Sequence, residues 1–293
     1  MSRKHFLKAV VLSALSLVLA GSIYSQGPAG AKGGKGGGKG PAAGQTVEKI
    51  RQLKPNLYLI TGGGANTLVR VTPEGLIVAD TKNPGQANYD RMMEEIRSVS
   101  MAPVKWVINT QHHPDHVGSN QLFIDAGAKV LAVEPLAAFM ASDTRTKEIP
   151  GRPQVTFPKD YSLKLGGAEV QLHFFGPGHS GGDTMVYFPA EKIVMLSDQM
   201  TDATPVIDFA NGGSLKGWNA SLDGALAMDF DFAIPGRGEP KTKAEVQAYR
   251  AKIATLQQRA ADAAKAGSTE IKTDDLGWTF QPPVVASMIA NMK

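Results

Sequence analysis

The chain has 293 residues, enough for one large domain or two small ones, and its 42% hydrophobic content can supply a well-buried core. Six of the 31 lysine and arginine residues precede Glu48, which leaves 25 basic against 27 acidic residues in the remainder. This balance argues against a nucleic-acid-binding domain, and the absence of cysteine excludes thiolate metal ligands and cysteine nucleophiles.

The first 25 residues have the layout of a secretory signal peptide. Basic residues Arg3, Lys4 and Lys8 precede an apolar run from Ala9 to Ala20, and small and polar residues follow. The run is too short to cross a bilayer as a helix, which needs roughly 20 apolar residues. We therefore expect cleavage near Ser25, a periplasmic or secreted protein, and membrane contact only during export. An uncleaved, membrane-anchoring N-terminus is the alternative.

The remaining chain is predicted to divide into three parts. Residues 26–45 are rich in Gly, Ala, Pro and Lys, a composition that predicts a flexible linker. Residues 46–267 carry the patterns of a folded domain. Residues 268–293 are mixed in character, and we expect a C-terminal extension that lies as a strap on the surface.

Within the predicted domain, short runs rich in Val, Ile and Leu alternate with helical patterns, which favours a layered α/β fold. The turn at Pro73-Glu74-Gly75 indicates an early hairpin, so a purely parallel sheet is not expected. Thr242 followed by Glu245 forms a capping box that predicts a helix running toward Gly267. The predicted strands are Leu57–Thr61, Asn66–Thr72, Leu76–Asp80, Lys105–Asn109, Lys129–Val133, Val170–Phe175, Thr184–Phe188, Ile193–Ser197 and Phe232–Pro235.

The most informative stretch runs from Asn109 to Gly118, directly after an apolar strand. It places three histidines and an aspartate within five positions, His112, His113, Asp115 and His116. At the end of a strand such side chains can converge on one point, and imidazole nitrogens with a carboxylate oxygen suit zinc.

Three further polar residues follow predicted strands or turns downstream. They are His179 in Gly-Pro-Gly-His, Asp198 after Ser197, and Arg237 between Gly236 and Gly238. Polar side chains just past strand ends gather at the edge of open α/β architectures, so these residues are expected to join the first cluster.

In order and spacing, these motifs resemble the metallo-β-lactamase superfamily over residues 47–267. The resemblance implies a four-layer αβ/βα sandwich with two metal ions at one edge. By that resemblance, the first metal would use Gln111, His113 and His179, and the second Asp115, His116 and Arg237. Asp198 would bridge the two metals.

Two positions depart from the family pattern, because Gln111 and Arg237 stand where the family has histidine. The glutamine amide oxygen is a weaker donor than imidazole, so the first site can survive on His113, His179 and Asp198. Arginine is cationic and has no lone pair to donate, so the second site is expected to be empty. We hypothesise that the Arg237 guanidinium replaces the second metal and pairs with Asp115 or Asp198.

The resemblance implies a metal-dependent hydrolase of the cell envelope that acts on a lactam, ester, thioester or lactone. One zinc ion is expected in preference to two, with iron or no metal as alternatives. Asp115 would orient the attacking water or accept its proton, and Arg237 would hold an anionic small-molecule substrate or stabilise an oxyanion. The competing interpretation is a non-catalytic binding protein that uses Arg237 as an anion anchor.

The remaining polar residues are given supporting roles. His112 is expected to be exposed because it alternates with His113, with contact to a substrate as the alternative. His173 is expected to be packed on its strand or to contact a metal ligand from behind. Asp80 would support the metal-binding loops from behind without being a ligand, and Asp183 is given the same role.

Overall fold

The computed structural model describes residues 46–293, and the predicted signal peptide and linker, residues 1–25 and 26–45, lie outside this range. Among the helices of residues 46–293, none combines the length and the apolarity that crossing a bilayer would need.

The first sheet has seven strands arranged in the order in which they occur along the chain. They are β1 (Arg51–Lys54), β2 (Leu57–Ile60), β3 (Thr67–Thr72), β4 (Gly75–Ala79), β5 (Val104–Ile108), β6 (Lys129–Val133) and β7 (Val155–Phe157). Strands β1 to β4 pair antiparallel, and β4 to β7 pair in parallel. The mixed pairing agrees with the hairpin predicted from the sequence.

The second sheet has six strands and again combines both kinds of pairing. They are β8 (Asp160–Leu165), β9 (Ala168–His173), β10 (Met185–Phe188), β11 (Ile193–Ser197), β12 (Phe232–Pro235) and β13 (Lys241–Thr242). Strands β8 to β11 are antiparallel neighbours, whereas β11 and β12 run in parallel, so their carboxyl ends meet at one edge.

Residues 46–293 contain seven α-helices, of which five lie between strands and the last two follow β13. They are α1 (Gln86–Arg97), α2 (Pro114–Val117), α3 (Asn120–Asp125), α4 (Glu134–Ser142), α5 (Leu215–Leu226), α6 (Lys243–Ala266) and α7 (Pro282–Asn291). Short 3-10 turns occupy Phe209–Asn211 and Asp274–Leu276.

Three apolar clusters show how these elements are layered. The central cluster joins the inner faces of the two sheets, with Leu59 and Ile77 from the first and Leu172 and Met195 from the second. A second cluster packs α1 and α3 on the outer face of the first sheet, and a third packs α5, α6 and α7 on the outer face of the second. The order helix, sheet, sheet, helix confirms the four-layer αβ/βα sandwich.

The C-terminal segment differs from the expected surface strap. Trp278 is only 4% exposed and packs edge-on against Tyr249 of α6, and α7 buries Met288 in the same cluster. Burial of each of these side chains removes apolar surface from water, which stabilises the fold by roughly 25 cal/mol per Å². Residues 268–293 therefore contribute to the outer core of the second sheet.

Candidate metal centre

The site residues meet at the edge where parallel strands of both sheets end. Strand β5 leads into the loop with His113, β11 ends one residue before Asp198, and β12 ends two residues before Arg237. His179 lies on the connection between β9 and β10. The backbone of Asn66 ties the two sheets together here, since its amide donates to the Gly236 carbonyl at 2.7 Å.

The backbone is unusual at the ends of β4 and β11. Asp80 and Ser197 have φ values of 65° and 53°, in the left-handed region that most side chains avoid. Next to Asp198, a Cβ at Gly236 would lie 1.7 Å from the Asp198 Oδ1 atom. Only glycine permits this close approach, so the Gly-Arg-Gly sequence places Asp198 beside Arg237.

Three donor atoms converge in the first half of the site, which comprises His113, His179 and Asp198. His113 Nδ1 and His179 Nε2 lie 3.1 Å apart, and His179 Nε2 lies 3.6 Å from Asp198 Oδ2. Two ligands of one tetrahedral zinc are expected about 3.3 Å apart, given zinc–nitrogen distances of about 2.0–2.1 Å. The observed separations are close to that value.

The outer nitrogens of both imidazoles are held by groups that can only accept a hydrogen bond. His113 Nε2 lies 2.7 Å from Asp208 Oδ2, and His179 Nδ1 lies 2.8 Å from the Val206 carbonyl oxygen. Each outer nitrogen therefore carries the proton, and each inner nitrogen carries a lone pair. Two facing lone pairs repel each other, so the space between them calls for a cation, either a shared proton or a metal ion. The residues of this half fit zinc.

Gln111 contributes to the same half through its amide. Its Nε2 donates to Asp198 Oδ2 at 2.9 Å, and its Oε1 accepts the His113 backbone N–H at 3.2 Å. In this orientation Gln111 fixes Asp198 and the motif loop, and its oxygen points away from the three converging donors.

The second half of the site comprises Asp115, His116 and Arg237. The Arg237 guanidinium bridges two carboxylates, with Nη1 2.6 Å from Asp198 Oδ1 and Nη2 hydrogen-bonded to Asp115 Oδ2. We hypothesised that Arg237 pairs with Asp115 or Asp198, and in the structure it pairs with both. Asp198 thus faces the histidines with one oxygen and Arg237 with the other.

His116 lies deeply buried beneath this guanidinium. Its Nδ1 is 2.7 Å from Asp80 Oδ2, and its Nε2 has no hydrogen-bond partner although Asp198 Oδ2 is 3.4 Å away. Burial lowers the pKa of His116, but the carboxylates of Asp80, Asp115 and Asp198 outweigh burial and raise it to about 10. The second half therefore holds two organic cations, Arg237 and the His116 imidazolium.

Asp80 and Asp183 have the supporting roles expected for them. Asp80 accepts the Thr110 backbone N–H at 2.8 Å and the Thr110 hydroxyl at 2.6 Å, which holds the motif loop. Asp183 accepts the Ser180 backbone N–H at 2.8 Å and so fixes the turn that carries His179.

The prediction that His112 is exposed was wrong. Its side chain is fully buried, packs against Phe139 and places Nε2 3.0 Å from Asp143 Oδ2. Burial and the neighbouring His113 lower the pKa of His112 to about 4, so its ring is neutral near pH 7. His173, by contrast, stacks on Phe175 and contacts Asp160 on the second sheet, as a packed residue.

Sequence reasoning missed a cluster behind His113 that comprises Asp143, Arg145 and Asp208. Arg145 donates hydrogen bonds to both carboxylates, and Asp208 in turn contacts His113. No motif marks these residues. The Gly-Gly-Ser sequence at residues 212–214, four residues after Asp208, was the one nearby signal in the sequence.

Within residues 46–293, two groups of side chains are close enough to hold a metal ion. One is His113, His179 and Asp198, and the other is His112, His113, Asp143 and Asp208. The second group already has the Arg145 guanidinium between its two carboxylates. Asp115 and His116 belong to neither group.

Comparisons with known proteins agree with this architecture. The model of the metallo-beta-lactamase superfamily matches residues 54–237, more than half of the chain. A type 2 metallo-beta-lactamase of Elizabethkingia meningoseptica is 30% identical over 226 residues, which cover 72% of this chain and 87% of the relative. The 2,4-dinitroanisole O-demethylase subunit alpha of Nocardioides sp. (strain JS1661) is 27% identical over 67% of this chain, but the match spans only 60% of that protein.

Solved structures show the same fold at lower identity. A metallo-beta-lactamase from Pontibacter korlensis has a TM-score of 0.62 at 20% identity, covering 71% of this chain and 99% of its own. The sec-alkylsulfatase Pisa1 from Pseudomonas sp. has a TM-score of 0.68 at 16% identity, covering 83% of this chain and 49% of its own. The chain therefore belongs to the metallo-β-lactamase superfamily, as a hydrolase with a His/Asp cluster that can hold a metal ion.

Proposed function

We propose that this protein is a hydrolase of the cell envelope that uses one zinc ion to open a lactam, ester, thioester or lactone. The observation that carries the proposal is the convergence of three atoms: His179 Nε2 lies 3.1 Å from His113 Nδ1 and 3.6 Å from Asp198 Oδ2. The envelope location rests on the signal-peptide pattern of residues 1–25.

The proposal of a single metal rests on Arg237. Its guanidinium contacts Asp115 and Asp198, two of the carboxylates that a second metal would need. A cation at that position would lie against an arginine that cannot lose its proton. His113, His179 and Asp198 would hold the one zinc.

Zinc in such a site polarises a substrate oxygen and makes water nucleophilic near pH 7. The chain supplies the rest of the machinery around it. Arg237 and His116 both approach Asp115 through Oδ2, so Oδ1 is left to orient a water or accept its proton. The Arg237 side chain is 30% exposed, and its guanidinium would attract an anionic substrate group or stabilise an oxyanion.

The named activities of similar proteins do not converge on one substrate. They include β-lactamases, an O-demethylase of 2,4-dinitroanisole and a sec-alkylsulfatase. Because one fold hosts many chemistries, the choice among lactam, ester, thioester and lactone has to come from the site and from direct assay.

Elemental analysis and hydrolysis assays of protein purified without chelators test the proposal. We expect about one zinc per chain, together with turnover of nitrocefin or p-nitrophenyl acetate that His113→Ala abolishes. His173→Ala is the matched control, because His173 pairs with Asp160 outside the site. Full turnover by the His113→Ala variant would refute hydrolysis at this zinc site, and no turnover by the zinc-loaded wild type would count against the hydrolase. Two tightly bound equivalents in the wild type would refute the single metal.

A second variant tests the part played by Arg237. Arg237→His removes the fixed cation and offers a lone pair near Asp115, Asp198 and the free Nε2 of His116. We expect the zinc content to rise from one toward two per chain. An unchanged content of one would mean that Arg237 does not control the second site.

The unsatisfied Nε of Arg237 favours one alternative function, a non-catalytic binding protein. In this case the guanidinium would anchor an anionic ligand whether or not a metal is present. Ligand binding that survives chelation, without turnover of any assayed substrate, would support this alternative over the hydrolase.

A further inference from the structure

One short segment, residues 206–208, contacts both histidines of the first half of the site. The Val206 carbonyl accepts from His179 Nδ1, the Asp208 amide donates to the His179 carbonyl at 2.8 Å, and the Asp208 carboxylate contacts His113. The Asp208 carbonyl in turn accepts the N–H groups of Asn211 and Gly213, at 3.0 and 2.8 Å. The backbone that carries Asp208 is therefore fixed.

The Asp208 carboxylate is also held by donors other than His113. Arg145 donates to its Oδ2, and Asn211 Nδ2 lies 3.0 and 3.1 Å from its two oxygens. Arg145 is itself anchored by three hydrogen bonds from its side chain to Asp143. A carboxylate surrounded by these donors has only acceptor positions to offer to His113.

We propose that Asp208, oriented by Arg145, is a positioning residue that sets the tautomer of His113, an inference that rests on the proposed zinc site. By accepting from Nε2, Asp208 keeps the proton off Nδ1, the nitrogen that faces His179. Carboxylates that hold a ligating imidazole in this way typically change metal affinity 10–100-fold when they are lost. Asp208 itself touches neither zinc nor substrate in this arrangement.

Asp208→Ala is the most direct test because it removes the acceptor of His113 Nε2. Asp208→Asn would not remove it, because Arg145 and His113 contact the same oxygen, Oδ2, and the amide oxygen would stay there. Without the acceptor, the His113 proton can move to Nδ1 and donate to His179 Nε2, 3.1 Å away, which blocks the inner nitrogen. We expect the dissociation constant for Zn²⁺, measured by competition with a chromophoric chelator, to rise about 10–100-fold.

Asp160→Ala is the matched control. Asp160 also contacts a histidine, His173, at 2.8 Å, but this pair lies outside the site. The zinc affinity of this variant should stay within about threefold of the wild type. An equal loss in both variants would show a general effect of removing a carboxylate, and the tautomer proposal would be overturned.

A measurement on histidine nitrogens tests the tautomer without any loss of metal. In ¹⁵N NMR spectra of the metal-free wild type, His113 Nε2 should carry a proton, and in Asp208→Ala this proton should shift toward Nδ1. Should Asp208→Ala fail to fold, the wild-type spectrum still decides, because a non-protonated Nε2 refutes the proposal. A wild type that binds no zinc yet shows protonated Nε2 would refute the proposed function and leave the positioning role in place.

Discussion

The two halves of the candidate site stand at the same sheet edge and share Asp198, yet they differ in what faces its oxygens. The first half faces Oδ2 with an imidazole nitrogen, and the second faces Oδ1 with a guanidinium cation. In the first half, His113 and His179 turn lone pairs inward, because their outer nitrogens are held by Asp208 and the Val206 carbonyl. In the second half, Arg237 turns a fixed cation inward. A metal ion is therefore expected only where the protein leaves lone pairs without a proton.

Two buried titratable groups, His116 and Lys82, also distinguish the second half. His116 has a raised pKa of about 10, and Lys82, with no exposed surface, donates to the carbonyls of Ile60 and Ala65 at 2.7 and 2.6 Å. Burial lowers the pKa of Lys82 to about 7, although Asp80, Glu48 and Asp115 oppose the shift. The two halves thus differ in the groups buried behind the site as well as in the side chains that face it.

Among the changes that test the difference between the two halves, removal of Arg237 should have the largest effect on stability. In Arg237→Ala, the carboxylates of Asp115 and Asp198 lose their shared partner in a partly buried position. Breaking such a pair leaves uncompensated charge, so we expect the metal-free protein to lose about 3 kcal/mol of unfolding free energy. Urea unfolding at pH 7.5 in EDTA measures this loss, and added Zn²⁺ should reduce it by binding to the freed carboxylates.

Arg51→Ala provides the control for this loss. Arg51 also forms an ion pair, with Glu239 at 2.6 Å, but both side chains are largely exposed. Such surface pairs contribute about 0–1 kcal/mol. Equal losses in Arg237→Ala and Arg51→Ala would mean that Arg237 does not compensate a buried charge.

A smaller effect concerns the pH dependence of stability through Lys82. In the unfolded chain a lysine keeps its proton up to its ordinary pKa of 10.5, whereas the folded state releases it near pH 7. Between these values the unfolded state binds more protons, so stability rises as the pH rises. The contribution of Lys82 between pH 7 and pH 9 is about 2 kcal/mol.

Lys82→Met isolates this contribution, because methionine has similar length and no charge. Unfolding free energies of the wild type and the variant, measured at pH 7 and pH 9, should differ in their pH dependence by that amount. Identical pH dependence in the two proteins would show that Lys82 stays protonated in the fold, and the second half would then hold a third cation.

The ends of several strands could be predicted from the sequence because the residues that signal them are neighbours in the chain. The strands Lys129–Val133, Ile193–Ser197 and Phe232–Pro235 have the predicted bounds, and helix α6 begins at the capping box of Thr242 and Glu245. The convergence of motif residues followed from one fact of topology, that parallel strands end at a common edge.

Contacts without a local signal could not be predicted in this way. Asp208 lies 95 positions from His113 and sits on an irregular connection between β11 and α5. His112 was misplaced for a related reason. Strand β5 ends at Ile108, so the alternation of exposed and buried side chains no longer applies four residues later, and the ring turns inward to Asp143.

The smallest predicted effect returns to the first half of the site. The Gln111 amide bonds to Asp198 and to the His113 backbone, so Gln111 adds no ligand to the three converging donor atoms. In Gln111→His a third imidazole would face the zinc, and a softer nitrogen donor should tighten Zn²⁺ binding about tenfold. Chelator competition measures the change. Weaker binding in this variant would instead show that the hold of Gln111 on Asp198 matters more to the first half than an additional ligand does.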